Sequence, residues 1–364
     1  MTVQGAPSKD FPKYDNDARQ YDAVLVMSFG GPDKPEDVVP FLENVTRGRG
    51  IPKERLEEVG EHYYQFGGKS PINDQNLALI EALEEELAAH GHDLPVYFGN
   101  RNWHPLITDT LQQMKDDGVK RAVAFFTSGF SCYSGCRQYR ENIIEAQQIV
   151  GEGAPAVDKL RVFYNHPGFI YPMVEHVKQA LSQWEESERE NVHVIFTAHS
   201  IPMGQARNSA YEDQLQDAAQ LIAGFVGIEN YTLVYQSRSG PPQVPWLEPD
   251  IVDYMHEIKE QGINNVVIAP IGFISDHMEV LFDLDTEALQ AAEELNMKMT
   301  RAATVGTAKP FVTMIRELIE ERMSADPDRK ALGERGPNHD ICPIDCCLPG
   351  TRPKHTATPA TETA

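Results

Sequence analysis

The chain has 364 residues, more than one ordinary hydrophobic core accommodates, so two domains of common size are expected. Its 55 Asp and Glu residues outnumber its 32 Lys and Arg residues, and the net charge of −23 argues against nucleic acid or an anionic membrane surface as a partner. The longest apolar runs, at 122–126 and 266–271, are shorter than the roughly 20 residues of a membrane helix, and residues 1–20 lack the pattern of a secretory signal, which favours a cytoplasmic location.

Apolar strand-like runs alternate with amphipathic helical segments along the first half of the chain. Residues 1–20 are rich in Pro and charge and are typical of a disordered tail. Beyond them the pattern predicts strands at 21–29, 96–98, 122–127 and 160–164. It predicts helices at about 35–45, 53–65 and 73–90, after Pro105, and at 167–187.

The same alternation restarts in the second half. Strands are predicted at 192–198, 231–235, 265–271 and 298–302, with helices at 210–226, 250–261, from about 277, and at 309–323. Repeated βα units of this kind predict an α/β fold with two similar doubly wound, Rossmann-like domains, parallel sheets and a central cleft. We place the domains at 21–180 and 181–325, followed by a C-terminal extension, 326–364, that carries a cysteine cluster and whose residues 349–364 are typical of a disordered tail.

The residues that follow two strands of the second half carry the strongest chemical signal. His199 ends the strand 192–198, and Glu279, Asp283 and Glu287 recur at helical spacing after the strand 265–271. Carboxylates at i, i+4 and i+8 share one helix face and repel each other, so a cation or mobile protons are expected to compensate them. Because sites in such folds form beyond the carboxyl ends of strands, His199 and the acidic row are predicted to meet at one rim. Phe29 and the segment 128–139 follow strands of the first half in the same way.

Other motifs are absent or ambiguous. No glycine-rich dinucleotide or P-loop motif follows any predicted strand. Arg47, Arg49, Lys53 and Arg55 form a local basic patch, which is either a solvated helix start or a site that recognises ligand carboxylates.

Six short strings together resemble one known family, the ferrochelatases. They are SFGGP at 28–32, GGKSP at 67–71, TAHSIP at 197–202, QSR at 236–238, PWLEPD at 245–250 and GFISDHMEVL at 272–281. They occur in the family's order, and the resemblance spans about 20–325. It implies a lyase of heme and porphyrin biosynthesis that inserts Fe²⁺ into a porphyrin and releases two protons.

The resemblance also implies roles for the residues at the rim. His199 and Glu279 match the catalytic pair, which we expect to face the ring centre as metal ligand and general base. Asp283 and Glu287 match an acidic row behind that pair, which carries protons out or hydrated cations in. Imidazole suits Fe²⁺ and, when neutral, also accepts protons near pH 7.

The substrate-binding residues implied by the resemblance are Phe29, Arg47, Tyr63, Ser70, Tyr139 and Trp246. Phe29 stands where many bacterial relatives have an axial tyrosine, so it offers stacking without ligation, unless it is simply a core residue at a strand end. Ser70 and Tyr139 match propionate contacts, whereas Thr46 stands where some relatives have arginine. A short and mixed segment at 62–70 and the nearby arginines favour the four-propionate coproporphyrin III as substrate, and the members most like this chain are coproporphyrin ferrochelatases.

The five cysteines form a second constellation. Cys342, Cys346 and Cys347 lie beyond the last predicted helix, and Cys132 and Cys136 follow the strand 122–127. Four thiolates bind zinc or a 2Fe-2S cluster, and a disulfide framework is not expected in the cytosol. The resemblance favours a 2Fe-2S cluster held by the three C-terminal cysteines and Cys136, with Cys132 as the substitute for Cys136.

Three alternatives to a coproporphyrin ferrochelatase stay open. They are the same reaction on protoporphyrin IX, a cobalt or nickel chelatase acting on another tetrapyrrole, and a tetrapyrrole or metal carrier without turnover. The acidic row argues against the carrier, because a carrier needs no exit for protons. The implied pathway adds a downstream coproheme decarboxylase as a partner.

Overall fold

The computed structural model describes residues 13–240 and 242–350, and within them the chain forms two four-stranded parallel sheets. The first sheet has the order β2-β1-β3-β4 and consists of β1 (Ala23–Ser28), β2 (Val96–Asn100), β3 (Arg121–Phe126) and β4 (Ala156–Lys159). The second has the order β6-β5-β7-β8 and consists of β5 (Val192–His199), β6 (Tyr231–Gln236), β7 (Asn265–Ala269) and β8 (Lys298–Arg301). The equivalent strand orders confirm the prediction of two similar parallel α/β units.

Helices connect the strands and cover both faces of each sheet. They are α1 (Val38–Val45), α2 (Lys53–Tyr64), α3 (Ile72–Ala89), α4 (Ile107–Asp116), α5 (Gln138–Val150), α6 (Pro167–Ser182), α7 (Glu186–Arg189), α8 (Met203–Ala206), α9 (Tyr211–Val226), α10 (Ile251–Glu260), α11 (Met278–Phe282), α12 (Leu289–Glu294) and α13 (Lys309–Met323). A 3-10 turn covers Pro35–Asp37, and π-helical turns cover Tyr133–Arg137 and Asp283–Ala288. None of the described helices combines the length and the apolar composition that a membrane crossing requires.

One hydrophobic core joins the two sheets. It contains buried residues of β1 and β3 from the first sheet, of β5 from the second, and of α3, α6, α9 and α13. The outer face of the first sheet packs on α4 and α5, and the outer face of the second packs on α10 and the segment from α11 to α12. Because all six residues of β1 are buried, its near-continuous apolar sequence is what a parallel strand covered on both faces requires.

The predicted strand 160–164 is wrong. The fourth strand of the first sheet is β4, four residues earlier, and residues 160–164 have no regular secondary structure. Leu160, Val162, Phe163 and Tyr164 are nevertheless buried in the shared core as the chain leaves the sheet for α6. A short apolar run does not distinguish a buried strand from a buried connection. In β4, an edge strand, half-buried and buried residues alternate, so it has no continuous apolar run.

The described residues nearest the two ends of the chain contact the body of the protein more closely than their composition indicates. Most of the two predicted disordered tails, 1–12 and 351–364, lies outside the described part, whereas 13–20 are described and contact the C-terminal extension and α13. Asp15 is buried and pairs with Arg322 at 2.9 Å, and the Arg329 guanidinium pairs with Asp340 at 2.8 Å. Charged residues predict disorder only when they stay solvated, and these form a compact ion-pair network.

Candidate active site

His199 and Glu279 lie side by side at the carboxyl edge of the second sheet. His199 ends β5, and Glu279 stands in the first turn of α11, which follows the neighbouring strand β7. The two segments approach closely because residue 272, just after β7, is a glycine that lies against Ala198. A Cβ atom added to Gly272 would come within 2.5 Å of the Ala198 side chain. His199 Nε2 is 3.4 Å from Glu279 Oε1. Their side chains keep 31% and 43% of their surface exposed, so a ligand in the cleft can reach both.

The other contacts of this pair set its proton affinity. His199 Nδ1 faces the Ser200 carbonyl, which leaves Nε2 to interact with Glu279. Burial would lower the pKa of His199, but the Glu279 carboxylate outweighs it and raises that pKa to about 9. Burial would raise the pKa of Glu279, and the imidazole rings of His199 and His277 reverse this and hold it well below its usual range. The two side chains therefore stabilise each other's charged forms.

The His277 ring supports Glu279 from a third direction. Its Nδ1 accepts a hydrogen bond from the Glu279 backbone N–H at 3.2 Å and caps α11, and it lies 4.0 Å from Glu279 Oε2. The ring packs edge-on against Phe273, with centroids 4.8 Å apart. Burial holds the pKa of His277 below its usual range.

The acidic row leads from the pair toward the surface. Asp283 accepts hydrogen bonds from the Ser237 hydroxyl and, at 3.3 Å, from Gln236 Nε2. Burial and the neighbouring carboxylates of Glu279 and Glu287 raise the pKa of Asp283 to about 7. Glu287 is exposed. The row does not lie on a continuous α-helix, because α11 ends at Phe282 and a π-helical turn covers Asp283–Ala288.

Aromatic side chains of the first unit form the facing wall. The ring of Phe41 lies 6.2 Å from that of Phe29, 5.9 Å from that of Tyr63 and 6.3 Å from that of Trp103. Burial and then the carboxylates of Glu279 and Asp283 raise the pKa of Tyr63, so this wall faces the acidic side. The His62 ring stacks on that of Phe282 at 3.9 Å and connects α2 to α11.

A half-buried arginine lies beside this wall. Arg101 follows β2, and its guanidinium stacks over Tyr139 at 4.7 Å and over Phe29 at 5.5 Å. It donates to Asn142 Oδ1 at 2.9 Å and to the Ser134 carbonyl at 3.3 Å. Among the described residues no carboxylate pairs with it, and burial lowers its pKa.

The remaining predicted substrate contacts differ in accessibility. Arg47 is exposed and donates to Asn44 Oδ1 at 2.5 Å, whereas Ser70 is only 3% exposed and packs against Gly31. Thr46 donates its hydroxyl hydrogen to the Leu42 carbonyl at 2.7 Å, which ties it to the end of α1. Trp246 is half-buried, and within the described part of the chain its indole N–H has no acceptor.

The cysteines gather at a second place, beside the start of α5. The sulfur atoms of Cys346 and Cys347 are 3.5 Å apart, and the ligand atoms of His339, Cys342 and Cys346 lie within 4.8 Å of one another. The Cys136 thiol interacts with those of Cys342 and Cys347. Cys132 instead has local partners, because its sulfur accepts from the Gly135 N–H at 3.1 Å.

Known proteins similar to this chain indicate its family. The family model described as Ferrochelatase matches residues 21–323. The chain is 56% identical to a ferrochelatase of Rhodopirellula baltica over 90% of this chain and 93% of that one, and 52% identical to a coproporphyrin III ferrochelatase of Streptomyces coelicolor over 94% and 96%. A solved structure of the sirohydrochlorin chelatase SirB from Bacillus subtilis is similar over 83% of this chain and 94% of that one, at 10% identity and a TM-score of 0.47.

This chain belongs to the ferrochelatase family. The structure brings His199, Glu279 and Asp283 together at the rim that the sequence pattern indicates. The sequence analysis did not single out Arg101. Its position directly after β2 could have indicated it, just as the position of Phe29 directly after β1 did. The sequence analysis also did not single out His339, although its position three residues before Cys342 is a spacing that metal ligands can have.

Proposed function

We propose that this chain inserts Fe²⁺ into coproporphyrin III to form coproheme and releases the two pyrrole protons. The observation that carries the proposal is the His199–Glu279 pair, 3.4 Å apart and open to the cleft opposite the aromatic wall. A flat ring between that wall and the pair would place its nitrogen atoms next to both side chains. Fe²⁺ is a substrate here, and the relatives that share the family support the same reaction class.

The pair offers the two functions that metal insertion needs. His199 Nε2, once deprotonated, is a nitrogen ligand suited to Fe²⁺, and the Glu279 carboxylate accepts a pyrrole proton. The carboxyl group of Asp283, whose pKa is about 7, exchanges protons near neutral pH and leads to the exposed Glu287. Protons released at the pair therefore have a route of carboxylates to solvent.

The charge of the cleft supports coproporphyrin III as the porphyrin. Four propionates need cations and hydrogen-bond donors, and Arg101 is a half-buried guanidinium without a carboxylate partner among the described residues. Arg47 and the Trp246 N–H add donors nearer the surface. The Streptomyces relative is named a coproporphyrin III ferrochelatase, whereas the Rhodopirellula relative is named without its porphyrin.

An anaerobic absorbance assay tests this function. Purified protein is mixed with Fe²⁺ and either coproporphyrin III or protoporphyrin IX, and conversion of free-base to metalloporphyrin bands is followed. Faster turnover of coproporphyrin III supports the proposal. Faster turnover of protoporphyrin IX would contradict the choice of porphyrin, and binding without metallation would indicate a carrier.

We further propose that Cys136, Cys342, Cys346 and Cys347 hold a 2Fe-2S cluster. The donor set fits a cluster anion because cations surround it. Lys159 is buried beside the thiols, and Arg140 Nε and Nη2 are buried with no partner among the described residues. Arg137 Nη1 donates to the Ile344 carbonyl at 2.6 Å and holds the cysteine loop in place. When bound, such a group supplies a one-electron redox couple and cross-links the C-terminal extension to α5.

One observation favours a second candidate at this place. The most compact ligand set consists of His339, Cys342 and Cys346, which suits a single borderline metal ion such as Zn²⁺. Equal amounts of iron and acid-labile sulfide in the purified protein would support the cluster. A single metal without sulfide would support the alternative. A downstream coproheme decarboxylase is proposed as the partner that receives the product.

A further inference from the structure

The side chain of Gln75 joins the two units of the fold directly beside the candidate active site. Gln75 lies in the first turn of α3, in the first unit, and contacts the backbone of Asp276 in the second. Gln75 Nε2 donates to the Asp276 carbonyl at 2.9 Å, and the Asp276 N–H donates to Gln75 Oε1 at 2.8 Å. One carboxamide therefore satisfies both backbone groups of a residue that belongs to no helix or strand.

On its own side, Gln75 is part of a rigid turn. The neighbouring Asn73 is buried and donates to the Gly31 carbonyl and to Asp33 Oδ1, both at 3.0 Å, and Asn100 donates to Asn73 Oδ1 at 3.3 Å. These bonds hold the start of α3 to the loop after β1 and to the end of β2. The same segment contains Ser70, one of the propionate contacts that the sequence predicts, whose N–H donates to the Pro32 carbonyl at 2.9 Å.

On the opposite side, Asp276 leads directly to the acid–base pair. Its carboxylate accepts from Arg301 Nη1 at 3.0 Å, so its side chain is held as firmly as its backbone. The next residue, His277, caps α11 through the Glu279 N–H. A displacement of Asp276 would thus move His277 and then Glu279, whose carboxylate faces His199.

We propose that Gln75 is a positioning residue for metal insertion, because its paired hydrogen bonds fix the loop that carries His277 and Glu279 relative to the wall that holds the porphyrin. The two walls come from different units of the fold, so their spacing depends on contacts between the units. The His62–Phe282 stack is a second such contact, nearer the surface. A misplacement of reacting groups by about 1 Å costs up to about a hundredfold in rate. The two hydrogen bonds between Gln75 and Asp276 are therefore relevant to turnover. The inference rests on the proposed Fe²⁺ insertion.

Two variants of Gln75 test this role. Gln75→Leu keeps the volume and removes both hydrogen bonds, and Gln75→Glu keeps only the acceptor for the Asp276 N–H. With coproporphyrin III and anaerobic Fe²⁺, kcat should fall by about tenfold to a hundredfold in Gln75→Leu, whereas KM for the porphyrin should change by less than about threefold. Gln75→Glu should be at least as impaired, because its carboxylate faces the Asp276 carbonyl.

A control on the same helix separates positioning from stability. Glu86 pairs with Arg316 of α13 at 2.9 Å and also joins α3 to a distant part of the chain, away from the cleft. Glu86→Gln should lower the thermal midpoint while kcat stays at the wild-type value. Unchanged kcat in Gln75→Leu, with or without a lower thermal midpoint, would overturn the inference. Failure of the wild-type protein to insert Fe²⁺ would instead overturn the proposed function.

Discussion

At the residue scale, the proton affinity of His199 depends chiefly on the neighbouring Glu279 carboxylate. Burial alone lowers the pKa of His199, and the Glu279 carboxylate raises it to about 9. Below that pH the ring is protonated and cannot ligate a metal ion, so the rate of insertion is expected to rise with pH toward about 9. Any stability that the charged pair contributes is lost as the pH rises through the same value.

Glu279→Gln should lower the pKa of His199 below the wild-type value, because it removes the charge that raises this pKa most. Titration of the ring signals by NMR measures it, with the His199 signal assigned from His199→Gln. His193 is the internal control, since it contacts Thr232 at 3.1 Å and burial alone lowers its pKa. An unchanged His199 titration in the variant would contradict the pairing.

Asp283→Asn should slow metal insertion and stabilise the protein at neutral and higher pH. The pKa of Asp283 is about 7 in the folded protein, above its usual 3.8, so the folded state loses stability as the pH rises through this range. Asparagine has no such titration. Urea unfolding at about pH 5 and about pH 8 measures the effect, and the variant's advantage should be larger at the higher pH. An equal difference at both values would argue against a buried, titrating Asp283.

At the element scale, the cysteine loop depends on α5 for its position. Cys346→Ser should remove the visible absorbance of a bound cluster, because it deletes one of the four proposed ligands. Cys132→Ser is the matched control and should keep the colour, since the Cys132 sulfur has partners within its own turn. A spectrum that is colourless in the wild type after reconstitution with iron and sulfide would exclude the cluster.

Helix α13 is held in the fold by a buried ion pair. Arg161 donates two hydrogen bonds to Glu321, at 2.7 and 2.8 Å, and the side chains are 1% and 4% exposed. Glu321→Ala leaves a buried guanidinium without its partner and should cost about 3–5 kcal/mol of the free energy of unfolding, measured by denaturant titration. Glu188→Ala, which removes a surface pair with Lys298, should have little effect. A small loss in Glu321→Ala would show that water or another group replaces the carboxylate.

Helix α13 and the run 160–164 show how far local sequence pattern predicts this fold. The helix is found at 309–323, the range the periodicity predicts, because an amphipathic helix of 15 residues has a strong signal. The run 160–164 has the composition of a strand and yet serves as a buried connection. His199 and Glu279 could be predicted to meet because both follow strands of one parallel sheet. The contact between Gln75 and Asp276 could not be predicted, because the two residues are 201 positions apart and no local pattern indicates that they meet.

At the scale of the whole molecule, the function depends on two similar α/β units facing each other. One unit supplies the aromatic wall and the half-buried Arg101, and the other supplies the proposed acid–base pair and the proposed proton route. The site therefore needs residues from both units. The overall charge of −23 would repel a porphyrin with four propionates, so the cations of the cleft have to compensate locally.

The most direct test compares wild type, His199→Ala and Glu279→Gln with coproporphyrin III, before and after anaerobic addition of Fe²⁺. Porphyrin fluorescence measures binding, and absorbance measures metallation in a single turnover. All three proteins are expected to bind the porphyrin with similar affinity, and only the wild type should metallate it at an appreciable rate. Metallation by either variant at the wild-type rate would contradict the role of the pair.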